Sequence, residues 1–212
     1  MWWRKPDRLA SGTGDSGEHL LGSPMFEDYS ERLFAHFVAG QWRAPFGDVS
    51  CTVPDSGGGS LGQVVPAGPQ DVARAVAARR GANMAARARL VRAVDAALPQ
   101  LAHAVAVQSA RPAPVAMLDA MITALRDAPP APEVVLLSSV HTTLLQLGAA
   151  IGAGVHGGLI WCPPPCQAVL ATTLAKAVQI ADLPPGSFAL LHTRVPQTEA
   201  ALRATALRVL DI

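Results

Sequence analysis

Two thiols, Cys162 and Cys166, flank a run of three prolines, Pro163 to Pro165. A structural zinc site needs four ligands; this pair supplies two, and neither His156 nor His192 stands at a spacing that completes the set. A nucleophilic cysteine needs a depressed pKa and a positioned base. Cys166 would gain the first from a helix starting beside it, but no base can be assigned to it. The expectation is therefore no metal centre and no catalytic residue in this chain. The six histidines are scattered, and Lys176, the only lysine after Lys5, falls in the middle of a helical pattern. Near the amino terminus Gly12-Thr13-Gly14-Asp15-Ser16-Gly17 fits the dinucleotide pattern G-x-G-x-x-G. That pattern holds a pyrophosphate only when a strand delivers it and a helix follows. Met1 to Ser11 has no strand pattern, so residues 1–32 read as a flexible leader rich in glycine, serine and charge.

The elements that would position these groups are clearest between Gly157 and His192. Leu159-Ile160-Trp161 is apolar without alternation, as expected of a strand covered on both faces. The spacing of Leu170, Leu174, Ala177, Val178 and Ala181 predicts a helix over 167–181 with one buried face. Leu183-Pro184-Pro185-Gly186 ends it, and Phe188 to Leu191 makes a second strand. Upstream, Val134 to Leu137 is a third apolar strand, followed by a helix from about His141 to Ala153. Strands joined through helices lie parallel, with right-handed crossovers. The fold class is thus α/β. A partial doubly wound, Rossmann-like parallel sheet, βαβαβ over 133–212, is expected, with a small antiparallel ribbon and helices on its amino-terminal side, over 33–132. Ligands of such sheets bind beyond the carboxyl ends of the strands, here the loops at Leu137–Ser139 and Cys162–Pro165.

Half of the 212 residues are hydrophobic, 16% are charged and the net charge is +1, so nothing in the electrostatics calls for nucleic acid or an anionic membrane as a partner. Three cysteines make no disulfide framework, and Met1 to Pro6 lacks the apolar core of a signal peptide, so a cytoplasmic protein is expected. Leu144 to Trp161 is mostly apolar and carries Gly148-xxx-Gly152 and Gly154-xxx-Gly158, the spacing at which membrane helices pack. Gln146, His156 and the glycines interrupt it, which favours a helix followed by a strand over a span.

In the amino-terminal half, Phe37-Val38, Gln41-Trp42-Arg43, Ser50 to Val53 and Leu61 to Val65 alternate with glycine-bearing turns, the pattern of the antiparallel ribbon. A helix opens at Pro69-Gln70-Asp71 with Val72, Ala75 and Val76 on one face. After a break near Gly81, one long helix is predicted over 86–109, kinked at Pro99, with Arg87, Arg89 and Arg92 mainly on its solvated side. A further helix over 115–126 would turn Met117, Met121, Ile122 and Leu125 inward. Pro129-Pro130-Ala131-Pro132 reads as a stiff linker into the sheet.

The order of these pieces resembles the amino-terminal part of an aldehyde dehydrogenase. The resemblance rests on Phe37-Val38-Ala39-Gly40-Gln41-Trp42, Leu61-Gly62-Gln63-Val64, Asp71-Val72 opening a helix, the arginine-bearing helix Arg87 to Leu101, Ala150-Ile151-Gly152-Ala153-Gly154-Val155 and the turn Leu183-Pro184-Pro185-Gly186, covering residues 34 to 192 in order. It implies NAD or NADP as cofactor. The family's Lys-Pro-x-Glu, whose lysine and acid hold the adenosine ribose, is replaced by Cys162-Pro163-Pro164-Pro165, and its Trp-Asn pair should fall near Leu137-Ser138-Ser139, where no asparagine stands. Ser138, Ser139, Cys162 and Pro165 are thus degenerate equivalents of cofactor-site positions, and binding of the cofactor by this chain is not expected. The nucleophilic cysteine and its glutamate base would come beyond Ile212, and the segment 111–133 is short for the family's oligomerisation hairpin. This character is closest to the degenerate second module of the double-length type; Ser11 to Gly17 with Leu20, Leu21 and Tyr29 resembles the tail of a preceding catalytic module. The resemblance implies a non-catalytic protein, a pseudoenzyme or fragment acting as a binding or scaffold module, with a protein or a parent dehydrogenase module as partner. The alternative is the amino-terminal piece of an active NAD(P)-dependent aldehyde oxidoreductase.

Overall fold

The computed structural model describes residues 33–109, 113–132, 134–192 and 194–212; the leader, with its glycine pattern, lies outside the described residues. The three apolar runs form β6 (Val134–Leu137), β7 (Leu159–Cys162) and β8 (Phe188–Leu190), buried at every position. They lie side by side and parallel, with Val134 opposite Leu159 and Leu159 opposite Phe188. Successive residues point to opposite faces of a strand, and each face has its own core. Leu136, Trp161, Phe188 and Leu190 belong to one, Val135, Leu137, Ile160, Cys162 and Ala189 to the other. Two buried faces explain the absence of alternation in these runs.

A short helix, α7 (Pro196–Arg203), and a fourth parallel strand, β9 (Arg208–Asp211), follow, and neither was anticipated from the pattern. β9 pairs with β6 on the side away from β7, Val134 opposite Arg208. The parallel strands therefore run third, second, first, fourth across the sheet, the doubly wound order, with its reversal between β6 and β9. Helices α5 (Leu144–Gly154) and α6 (Ala168–Ile180) cover one face, while α7 crosses to the other and packs beside α1 (Pro69–Ala78).

The antiparallel part is divided between two sheets. β2 (His36–Val38) pairs with β3 (Gln41–Arg43) and joins the main sheet through Phe37 opposite Leu190, making six strands. β1 (Leu33–Phe34), β4 (Cys51–Pro54) and β5 (Ser60–Val64) form a separate three-stranded sheet.

The long kinked helix expected over 86–109 is two helices, α2 (Met84–Ala96) and α3 (Leu98–Ser109), bent by 63°. Pro99 sits in the first turn of α3, where its missing N–H leaves no bond unmade. Arg87 is buried, contrary to expectation. Its guanidinium donates to the carbonyls of Leu125 (2.8 and 3.1 Å) and Arg126 at the end of α4 (Val115–Asp127), groups that no helical N–H can satisfy. Arg89 does the same for α6 through Ala181 O and Asp182 O, at 2.9 and 2.8 Å. On α4 the inward residues are Leu118, Met121, Ile122 and Leu125, and Met117 is exposed. α5 starts at Leu144, later than expected, because Thr143 and Gln146 form a reciprocal capping box. Leu144 to Trp161 is thus a helix, a turn and a strand. Among the described residues no single helix is long and apolar enough to cross a membrane.

Candidate functional site: the switch-point crevice

The gap beyond the carboxyl ends of β6 and β9 is where a doubly wound sheet takes its ligand. Ser138, directly after β6, is buried; its hydroxyl accepts from Trp161 Nε1 at 2.9 Å and donates to Gln167 Oε1 at 2.7 Å. Gln167 Nε2 returns a bond to Ser139 O at 2.6 Å. The Ser139 N–H donates to Thr142 Oγ1 at 2.8 Å, and that hydroxyl donates to Ile212 O at 2.7 Å. The Leu137 carbonyl accepts from the Ile212 N–H at 3.0 Å. Both serines are committed to latching the strand ends together.

Arg194 lies across the gap. Its N–H donates to Pro163 O at 2.9 Å, and its guanidinium reaches Ser138 O at 3.3 Å, Glu199 at 3.2 Å and Asp211 at 3.1 Å. Arg203 binds the same two carboxylates, both at 2.8 Å. Hydrogen bonds from Arg203 and Arg194 hold the Glu199 carboxyl below its usual pKa. The result is a neutral network of two arginines and two acids on the switch point, built largely by α7 and β9.

The end of β7 and the loop after it are equally closed, and Cys162, expected in that loop, is instead the last residue of the strand, paired with Leu137. Cys162 continues the strand parity of Ile160 and is wholly buried in the core under α1 and α7, where burial pushes its thiol pKa up. Pro163, Pro164 and Pro165 have no N–H to offer a phosphate. Cys166, half-buried in the single 3-10 turn Pro165–Gln167, also has its pKa raised by burial, the opposite of what a thiolate nucleophile needs. The amino terminus of α6 is capped from α3: Gln108 Oε1 accepts from the N–H groups of Val169 and Leu170 at 3.1 and 3.3 Å. That cap occupies donors a phosphate would use. Sequence reasoning missed Gln108, Arg194 and Glu199; a glutamine 61 residues from the helix it caps leaves no local signal. A cavity of about 700 Å³ opens beside this turn, lined by Val105, Met117, Leu144, Cys166 and Leu170. No group of three histidine, cysteine, aspartate or glutamate side chains among the described residues can hold a metal.

Of the turn Pro165–Gln167, it is Gln167 that meets Ser138 and Ser139, whereas the Pro165 carbonyl accepts from Gln108 Nε2 at 3.3 Å, and Cys162 belongs to the core on the other face of the sheet from that cavity. Among the described residues this lining does not suit a dinucleotide: the three prolines offer no N–H to a pyrophosphate, and the donors in the crevice, those of Arg194, are engaged by Ser138 O, Glu199 and Asp211.

A second polar cluster lies under β1 and β2. His36, Asp71 and His192 are fully buried. His36 Nδ1 accepts from the His192 N–H at 3.1 Å, and His36 Nε2 stands 3.7 Å from Asp71. Burial alone would raise the Asp71 pKa, but His36 and the N–H groups of Gly68 and Phe46 outweigh it and hold the carboxylate ionised; Arg74 pairs with it at 2.6 Å. Among the described residues neither ring nitrogen of His192 has a hydrogen-bond partner, and burial first, then its electrostatic interaction with His36, lowers its pKa to about 3. A histidine whose folded pKa is depressed contributes stability that is complete above its unfolded value, near 6.5, and is lost as pH falls toward the folded one. Denaturant unfolding is expected to show stability falling by about 1.4 kcal/mol per pH unit between about 6 and 4 from this residue, and a His192→Phe variant should lose that slope. An identical slope in the variant would contradict the assignment.

No family model matches this sequence, and no curated protein does. Solved structures similar to it include aldehyde dehydrogenase C (AldC) from Pseudomonas syringae, complexed with NAD+ and octanal, at 21% identity and a TM-score of 0.70 over 86% of this chain and 50% of that one. HpcC from Thermus thermophilus is 19% identical with a TM-score of 0.66, covering 86% of this chain and 44% of its own. An aldehyde dehydrogenase from Bacillus cereus, in an NAD+ complex, is 17% identical with a TM-score of 0.69, covering 85% and 45%. At such identities the likeness speaks for the backbone. The chain has the fold of about half an aldehyde dehydrogenase.

Proposed function

We propose that this is a non-catalytic, cytoplasmic member of the aldehyde dehydrogenase family, acting as a binding module rather than an oxidoreductase, with residues 33–212 as its cofactor-domain-like unit. The carrying observation is the closed crevice: Arg194 spans the position of the ligand, tied to Glu199 and Asp211 at 3.2 and 3.1 Å. Losing two charge-assisted bonds to a ribose forfeits about 1.5–3 kcal/mol each, or roughly two to four powers of ten in affinity. Calorimetry is expected to find no NAD or NADP binding at micromolar concentration; a micromolar dissociation constant, or aldehyde-dependent reduction of NAD by the pure protein, would overturn the reading.

A second reading is favoured by length. The chain spans about half the length of the solved structures named above, which suits the amino-terminal piece of an active NAD(P)-dependent enzyme. The coding sequence after Ile212 discriminates the two: continuation into Phe-Thr-Gly-Ser and a Gly-x-Cys motif supports the enzyme, whereas a stop codon there leaves only a partner chain able to restore it.

A further inference from the structure

Two imidazoles are sealed into the seam where the amino-terminal strands meet the parallel sheet. His36, on β2, and His192, two residues past β8, are fully buried and stacked, with ring centroids 6.2 Å apart. His36 Nδ1 accepts from the His192 N–H at 3.1 Å, so the neutral ring carries its proton on Nε2, which faces Asp71 of α1 at 3.7 Å. A second proton on His36 belongs on Nδ1, where the His192 N–H already points. A second proton on His192 would make donors of both ring nitrogens, and among the described residues neither has a hydrogen-bond partner. From β1 the Phe34 ring meets His192 edge-on at 6.0 Å. The Ala67 N–H donates to His192 O at 2.5 Å, and the Ala67 carbonyl accepts from Thr198 Oγ1 of α7 at 2.7 Å. The charged groups at the seam are Asp71 and Arg74, both on α1 and paired with each other at 2.6 Å.

The strands behind this seam are lightly attached. β2 meets β8 through one register pair, Phe37 opposite Leu190, whereas β6 and β7 pair along four. β3 reaches the sheet only through β2, and β1 belongs to the separate three-stranded sheet.

We propose that His36 and His192 form an acid-opened latch, which holds β1, β2 and β3 against the parallel sheet near neutral pH and releases them as pH falls. In the closed seam an added proton finds no acceptor; in the open one it finds water. Burial first, and then the interaction with His36, hold the pKa of His192 at about 3, against about 6.5 for a free imidazole. A ring depressed in this way stabilises the closed state fully above its free value, and that contribution is lost as pH falls toward the depressed one. Between about pH 6 and 4 the opening equilibrium therefore rises about tenfold per pH unit from His192 alone. Asp71, whose carboxyl is held below its usual pKa, adds to the effect only below about pH 4. The latch does not depend on whether the crevice takes a nucleotide.

Hydrogen exchange read by mass spectrometry on the full chain tests it, with peptides over residues 33–43 compared with peptides over 134–162. After division by the intrinsic rate, opening at 33–43 is expected to rise about tenfold per pH unit between about 6 and 4. At each pH it should exceed opening at 134–162 by at least about tenfold. Unfolding of the whole chain also frees His192, so this excess, together with the slope, marks a local release. His192→Phe keeps the aromatic volume and His192→Gln keeps a neutral polar group, and each should lose the slope at 33–43. Protection of 134–162 at about pH 7.5 shows that a variant has folded. Equal opening of the two regions, opening at 33–43 that does not change with pH, or a slope that survives in either folded variant overturns the proposal.

Discussion

Cys162→Lys, the change that brings the end of β7 back toward the dehydrogenase pattern, is expected to destabilise the chain by about 3–5 kcal/mol, the cost of leaving a buried charge uncompensated, and to confer no cofactor affinity. Cys162 is wholly buried beside Val135, Leu137, Ile160 and Leu191, on a face closed by α1 and α7. An ammonium there loses its water, and the Arg194 guanidinium, near enough to perturb the Cys162 thiol, adds repulsion; Glu199, the nearby acid, is already held by Arg194 and Arg203. The lysine's escape is to deprotonate, with a pKa driven well below its usual value, or to push α7 off the sheet. Denaturant midpoints measured beside a Cys162→Val control, for which a near-isosteric swap costs less than about 1.5 kcal/mol, read the difference. An unchanged midpoint for Cys162→Lys together with micromolar NAD binding would show that the crevice is open and that the side chain at 162 reaches it.

The same residue shows why position in a motif is a weaker guide than strand parity. Aligning Cys162-Pro163-Pro164-Pro165 with a ribose-binding loop names the place, but the face is decided by the pleat, and two residues back Ile160 already points under α1 and α7. The parallel strands were legible because β6, β7 and β8 are apolar throughout, a pattern that only a sheet covered on both sides tolerates. α7 and β9 escaped notice for the converse reason. α7 is eight residues long, with Thr198 and Leu202 as its buried pair, and β9 reads Arg-Val-Leu-Asp, charged at both ends because only its middle is covered. Their loss from the prediction removed the fourth strand, the switch point and every acid of the network that fills it. Arg87 was misplaced because a helical wheel registers charge and not the carbonyls waiting across the core; only the bond to Leu125, 38 residues away, shows why a cation is buried there. The Thr143-x-x-Gln146 box was readable and would have placed the start of α5. Spacing alone turns Met117 inward, whereas it is exposed and lines the open cavity beside Cys166.

The glycine pair that mimics a membrane motif leads to the second large effect. Gly148 and Gly152 lie one turn apart on the face of α5 that crosses α4, and a methyl group on either would run into backbone: the Met121 carbonyl oxygen at Gly148 and that of Leu125 at Gly152. In an exposed helix, glycine to alanine would stabilise by about 1 kcal/mol. Here the sign reverses, since overpacking against backbone that cannot rotate away costs about 1–3 kcal/mol. Gly152→Ala should be the worse of the two, because the carbonyl it displaces is the one that Arg87 holds with two bonds, at 2.8 and 3.1 Å. Shifting Leu125 strains a buried guanidinium as well as a helix crossing. The melting temperature of Gly152→Ala is expected to fall by roughly 5–10 °C, with Gly148→Ala between it and the unmodified chain. A melt that rises, as helix propensity alone requires, would mean that α4 and α5 stand farther apart than this crossing.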